Sequence, residues 1–139
     1  MEVTRQYEWD AGHRVTVHGG QCKHVHGHRY RAEVTFMLPT TPDTGMVIDF
    51  GTLKEHLSQF IDGTLDHAYI AHPADEVGAL LQDLGHRVYT MPHHLGQPTA
   101  ENLAQLLAEV MDNRLDDYAG TVTRVVVYET PNCWATWTA

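Results

Sequence analysis

The feature that most constrains this chain is a pair of long two-residue alternations on either side of one short loop. From residue 3 to 17, Val3, Tyr7, Trp9, Ala11, Val15 and Val17 share one parity, with Arg5 the exception, while Thr4, Gln6, Glu8 and Arg14 take the other. From His26 to Leu38, Tyr30, Ala32, Val34, Phe36 and Leu38 alternate with Arg29, Arg31, Glu33 and Thr35. Successive strand residues point to opposite faces, so both stretches read as half-buried strands. His13 falls on the apolar parity of the first, and His26 and His28 on that of the second. If the strands pair as a hairpin across "HGGQCKH", three imidazoles converge on one side of the sheet.

The rest of the chain adds helices and three more strands. Asp49 is placed to cap a helix from Phe50, where Leu53, Leu57, Phe60 and Ile61 follow helical spacing. A weaker helix is expected at 74–84 with Gly85 as its stop, then a short strand at "RVYTM". The clearest helix starts at Pro98-Thr99, with Leu103, Leu106, Leu107, Val110 and Met111 in one stripe and Glu101 in the dipole-favoured first turn. "TVTRVVVYE" and "CWATWTA" read as strands joined by "TPN". With no regular β-α-β alternation, the expectation is one α+β domain over 1–139, built on an antiparallel sheet.

Composition narrows the function. A net charge of −9 argues against broad nucleic-acid binding, which needs a basic face. No apolar run approaches the roughly 20 residues that cross a membrane, and the first residues do not resemble a signal peptide, so a cytoplasmic location is expected. Two cysteines, Cys22 and Cys133, are too few for a disulfide framework. Eleven histidines are the unusual total.

Three neutral imidazoles with an open fourth position form a catalytic zinc arrangement, so His13, His26 and His28 are the expected Zn2+ ligands. Gly27, between two of them, is expected to let the backbone approach the metal without a side chain. His24 extends the H-x-H pattern but lies outside the regular strand and is left out of the ligand set. His26, His28 and Glu33 also mimic a cupin oxygenase run. Glu33 lies on the opposite parity, however, and a cupin barrel leaves no place for the 98–111 helix.

"WDAGHR", "CKHVHGHRY", "TGMVIDF", "LDH", "PTAENLA" and "VYET" resemble, in order and spacing, the 6-pyruvoyl-tetrahydropterin synthase family. The Cys22-to-His26 spacing is most similar to its bacterial 6-carboxytetrahydropterin synthases of queuosine biosynthesis. The resemblance implies a tunnelling fold (T-fold) with a four-stranded antiparallel sheet and helices on one face. It implies trimers stacked as a hexamer, with active sites between subunits. Residues of about 69–97 form a longer segment than the compact members have, read as a short α-β insertion.

The resemblance also implies roles. Cys22 is the general base, and beside a bound cation a thiol favours its thiolate. Asp66 and His67 belong to the proton-transfer machinery, reaching Cys22 from a neighbouring subunit. Glu129 ends the stripe of Val125 and Val127 and anchors the pterin, whose ring N–H and amine suit a carboxylate. Glu101 is a weaker candidate, and Arg14, Lys23 and His24 border the site as candidates for the triphosphate. The implied reaction turns 7,8-dihydroneopterin triphosphate into 6-carboxy-5,6,7,8-tetrahydropterin, acetaldehyde and triphosphate, making the protein a zinc-dependent lyase. Elimination of triphosphate without carbon–carbon cleavage, giving the pyruvoyl product, is the nearest rival. A non-catalytic zinc or pterin binder is a more distant one.

Overall fold

A computed structural model describes residues 1–139. Strands β1 (Glu2–His13) and β2 (His26–Met37) form the expected hairpin, paired without interruption from Glu2↔Met37 to His13↔His26. β5 (Thr121–Thr130) pairs antiparallel with β2, and β6 (Cys133–Thr138) with β5. α1 (Phe50–Phe60) and α3 (Ala100–Arg114) contribute Leu53, Leu57, Leu103, Leu107 and Met111 to the core. These meet Trp9, Tyr30, Ala32, Val34 and Phe36, the apolar parity read from the sequence. Truncating one of the fully buried leucines to alanine would cost about 2–5 kcal/mol.

Both helix starts follow from side-chain caps. The Asp49 carboxylate accepts the Gly51 N–H at 2.6 Å, and the Thr99 hydroxyl accepts that of Asn102 at 3.4 Å. α1 then passes into a single widened turn, Ile61–Leu65, closed by the Asp66 N–H donating to the Ile61 carbonyl at 2.8 Å. Such turns are frequent at functional sites. This one delivers Asp66 and His67 to the edge of β1.

Three expectations need correction. The sheet has six strands rather than four, in the order β4 (Val88–Thr90), β3 (Ala68–Ala71), β1, β2, β5, β6, and it is mixed. β3 runs parallel to the last residues of β1, and β4 parallel to β3. The 69–97 stretch therefore contains one β-α-β unit, with α2 (Glu76–Asp83) as its crossover. Nor do all helices share one face. Ile70, paired with His13, joins the main core, whereas Tyr69 and Ala71 point the other way, where Gly78 of α2 packs against Ala71. Finally, β1 stops at His13, so Val15 and Val17 lie in a loop. The Val15 N–H there donates to the Cys22 carbonyl at 2.8 Å.

Candidate metal and substrate site

His13 and His26 are directly opposite across the hairpin, and His28 faces Ala11 two pairs further along. Parity puts all three rings on the core side, with ring centroids 4.5–5.1 Å apart. Each offers a nitrogen within 4.8 Å of the others.

Their hydrogen bonds leave a defined set of free lone pairs. The His13 Nδ1 meets the Pro98 carbonyl at 2.7 Å, and the His26 Nδ1 meets the His24 carbonyl at 2.7 Å. A carbonyl only accepts, so both Nδ1 atoms carry the proton and both Nε2 atoms are bare acceptors in the neutral rings. Those two Nε2 atoms face each other at 3.1 Å. The His28 Nε2 is buried with no partner at all. Converging lone pairs repel unless a cation shares them. Ligands at about 2.0–2.1 Å around a tetrahedral zinc sit about 3.3 Å apart, so the donor set fits such an ion. Burial pulls the His13 ring down to about 4, against the Pro98 carbonyl and with help from His26 and His28, which keeps it in the neutral form a ligand needs.

Gly27 has a different purpose from the one expected. A Cβ there would meet the Ala11 carbonyl oxygen of β1 at 3.1 Å. It would project to the sheet face opposite the histidines, so glycine permits close strand approach rather than access to the metal.

Two cavities flank the rings. The first, about 290 Å³, is bordered by His13, Cys22, Glu101, Glu129, Cys133 and Trp134 among others. The second, broader one includes His26, His28, Arg29, Asp10 and His67. Glu129 stands 3.8 Å from the His13 Nε2. It falls at an irregularity in the β5–β6 pairing, between Tyr128 and Thr130, and such bulges re-aim a side chain. Burial, and then the charge of Glu101, push the Glu129 carboxyl up, against the pull of His26.

Asp66 and His67 form a pair, Oδ2 to Nδ1 at 2.9 Å. Burial pushes the Asp66 carboxyl up, but the Asp10 N–H and the His67 ring outweigh it and hold it below its ordinary range. His67 has φ 57°, the only non-glycine residue with positive φ, and its N–H donates to the Asp10 carbonyl at 2.7 Å. Its ring is 79% exposed. Within one chain, Cys22 and His67 border different cavities.

The three basic candidates separate. Arg14 is engaged by Asp75 through Nε and Nη2, at 3.0 and 2.6 Å. Lys23 and His24 are exposed in the turn beside Cys22. Sequence reading missed Pro98 as the group that orients His13, together with Cys133, Trp134 and His18 on the cavity wall. Pro98-Thr99 was legible as a helix start, and a helix start beside a histidine cluster was the available signal.

Comparison with known proteins identifies relatives over nearly the whole chain. A family model described as 6-pyruvoyl tetrahydropterin synthase matches residues 2–139. A 6-carboxy-5,6,7,8-tetrahydropterin synthase of Rickettsia bellii is 37% identical, covering 96% of this chain and 97% of its own. That of Rickettsia conorii is 39% identical with the same coverage. Among solved structures, the 6-pyruvoyl tetrahydropterin synthase of Caenorhabditis elegans shares the fold, with TM-score 0.72 and 23% identity over 100% of this chain and 95% of its own. An uncharacterized Wolinella succinogenes protein shares it at TM-score 0.87, with 22% identity over 99% and 97%. No helix is long and apolar enough to cross a membrane. With the α+β fold, the histidine cluster and a match over nearly its whole length, the chain belongs to the 6-pyruvoyl tetrahydropterin synthase family of lyases.

Proposed function

We propose that this protein is a zinc-dependent 6-carboxy-5,6,7,8-tetrahydropterin synthase acting on 7,8-dihydroneopterin triphosphate in queuosine biosynthesis. The observation that carries the reading is the convergence of bare imidazole nitrogens beside a cavity bordered by both Cys22 and Glu129. The names of the Rickettsia relatives support the carboxy branch. His13, His26 and His28 would hold the ion, which when bound supplies a Lewis acid beside the hydroxylated side chain of the substrate.

The other roles fall to the chain's own groups. The Glu129 carboxylate accepts the paired N–H donors of the pterin edge and fixes its orientation. Cys22 takes a proton from the substrate side chain as general base. Asp66 holds the His67 Nδ1–H, which leaves Nε2 as the atom that accepts or returns a proton. Cys22 and His67 border different cavities of one chain, which favours their joint action across a subunit contact, with His67 of a neighbouring subunit facing Cys22. The exposure of His67 supports this trimer-based, hexameric reading. Lys23 and His24 remain free to meet triphosphate.

The test is product identification from 7,8-dihydroneopterin triphosphate with zinc-loaded protein. Acetaldehyde and the carboxy product are expected. A pyruvoyl product without acetaldehyde moves the protein to the other branch, and no turnover overturns the reading. Cys22→Ala should keep zinc and lose about 10²–10⁴ in kcat. Unchanged turnover would remove Cys22 from the mechanism.

A further inference from the structure

The stretch from Tyr69 to Thr99 is fastened to the end of β1 by three separate sets of bonds. Pro98 receives the His13 ring. Thr16 and Gln97 exchange two bonds: the Thr16 N–H donates to Gln97 Oε1 at 3.0 Å, and Gln97 Nε2 donates to Thr16 Oγ1 at 2.8 Å. Between them lies the Arg14–Asp75 pair, whose carboxylate side chain is fully buried. Arg14 Nε and Nη2 both donate to Asp75 Oδ1. The Val77 N–H also donates to Oδ1, at 3.0 Å, and the Tyr69 hydroxyl donates to Oδ2 at 2.8 Å. Four donors on a buried carboxylate make a rigid fixture, because withdrawing one partner strands a buried charge.

The location of this fixture gives it consequence. Arg14 directly follows His13, and the next residue, Val15, holds the Cys22 carbonyl through its own N–H. Asp75 itself borders neither cavity. We propose that Asp75 is a positioning residue for the site: by fixing Arg14 it sets the end of β1, and with it the His13 ring and the loop that carries Cys22. Outer contacts of this kind orient ligands without touching the metal. The His13 half of the proposal rests on the reading of the three histidines as a metal site, whereas the Cys22 half does not.

The experiment uses purified apo protein at a temperature well below its Tm, with two readouts. Zinc affinity is measured by competition with a chromophoric chelator. Cys22 alkylation by iodoacetamide is timed in a Cys133→Ser background. Asp75→Asn keeps the shape and an acceptor oxygen for the Val77 N–H, sets an NH2 against the Tyr69 hydroxyl, which can turn to accept from it, and removes the charge that Arg14 needs. Arg14→Lys keeps the charge and loses the forked geometry, and serves if the first variant does not fold. Val122→Ala, at the far end of the sheet opposite Phe36, is the control for plain loss of stability. Each site variant should weaken zinc binding about tenfold or more and shift the alkylation rate, with the double variant no worse than the weaker single. Val122→Ala should lower Tm and move neither readout. Wild-type zinc affinity and alkylation rate in folded Asp75→Asn or Arg14→Lys overturn the proposal, as do equal effects from Val122→Ala. If the unaltered protein binds no zinc, the metal reading falls, and the alkylation rate alone decides for or against Asp75.

Discussion

Replacing Gly27 by alanine tests whether the proposed metal site depends on how closely β1 and β2 approach. The new Cβ would lie 3.1 Å from the Ala11 carbonyl oxygen, and that oxygen is backbone, so it cannot swing aside. Restoring an ordinary contact of about 3.4 Å needs a strand shift of about 0.3 Å, whereas metal–ligand distances tolerate about ±0.2 Å. Since Gly27 separates His26 from His28, the shift passes to both rings. Two energies compete. Alanine lowers the entropy of the unfolded chain, a gain of about 0.4–1 kcal/mol where its backbone is allowed, and Gly27 has no positive φ. Overpacking costs about 1–3 kcal/mol and outweighs it. The net loss of about 1 kcal/mol corresponds to roughly 3–5 °C in Tm for a domain of this size. Zinc affinity should drop about tenfold. Gly12→Ala is the internal comparison, because its Cβ would sit at 3.4 Å from the His26 oxygen, an ordinary contact, and should be nearly silent. Differential scanning calorimetry and zinc titration read the two effects. If Gly27→Ala matches wild type in both, or if Gly12→Ala is the more damaging, the strand-approach argument is wrong.

On the proposed anchor role, Glu129→Gln removes the charge that would strengthen bonds to the pterin, and KM should rise about 10–100-fold with a smaller change in kcat. Glu101→Gln relieves the repulsion that helps hold the Glu129 carboxyl up, so the acid limb of kcat/KM should move to lower pH; an unmoved limb would dissociate the two acids. Asp66 titrates below its ordinary range in the folded state, since its bonds to Asp10 and His67 overcome burial. A depressed carboxyl stabilises the fold above its unfolded pKa of about 3.9 and loses that contribution as pH falls through the folded value. Asp66→Asn should therefore flatten part of the decline in urea midpoint on the acid side of pH 4, with Asp75, also depressed, supplying some of the remainder. An unchanged acid slope would contradict this.

How much was legible depended on whether a residue's place is set by local pattern. Strand parity alone brought His13, His26 and His28 to one face, because the β1–β2 hairpin keeps strict register along its length. The caps at Asp49 and Thr99 were legible for the same local reason. β3 was not, since Ala68–Ala71 is buried on both faces and a two-sided buried strand shows no alternation. Its parallel pairing then hid the β-α-β unit and the second helix face. The end of β1 was overrun because Val15 and Val17 continue the parity, while the Arg14–Asp75 pair that diverts the chain joins residues 61 positions apart. Glu129 was read as the end of a stripe, and the bulge that turns it toward His13 depends on β6.

His67 carries a consequence for the economy of the whole chain. A β-carbon in the left-handed region costs of order 1 kcal/mol or more, and glycine or asparagine bears that conformation with less strain. A library randomised at position 67 and ranked only by thermal stability should therefore drift to Gly or Asn. One ranked by turnover should return His. The distance between those two outcomes measures the folding stability that the protein forgoes to present one imidazole outward.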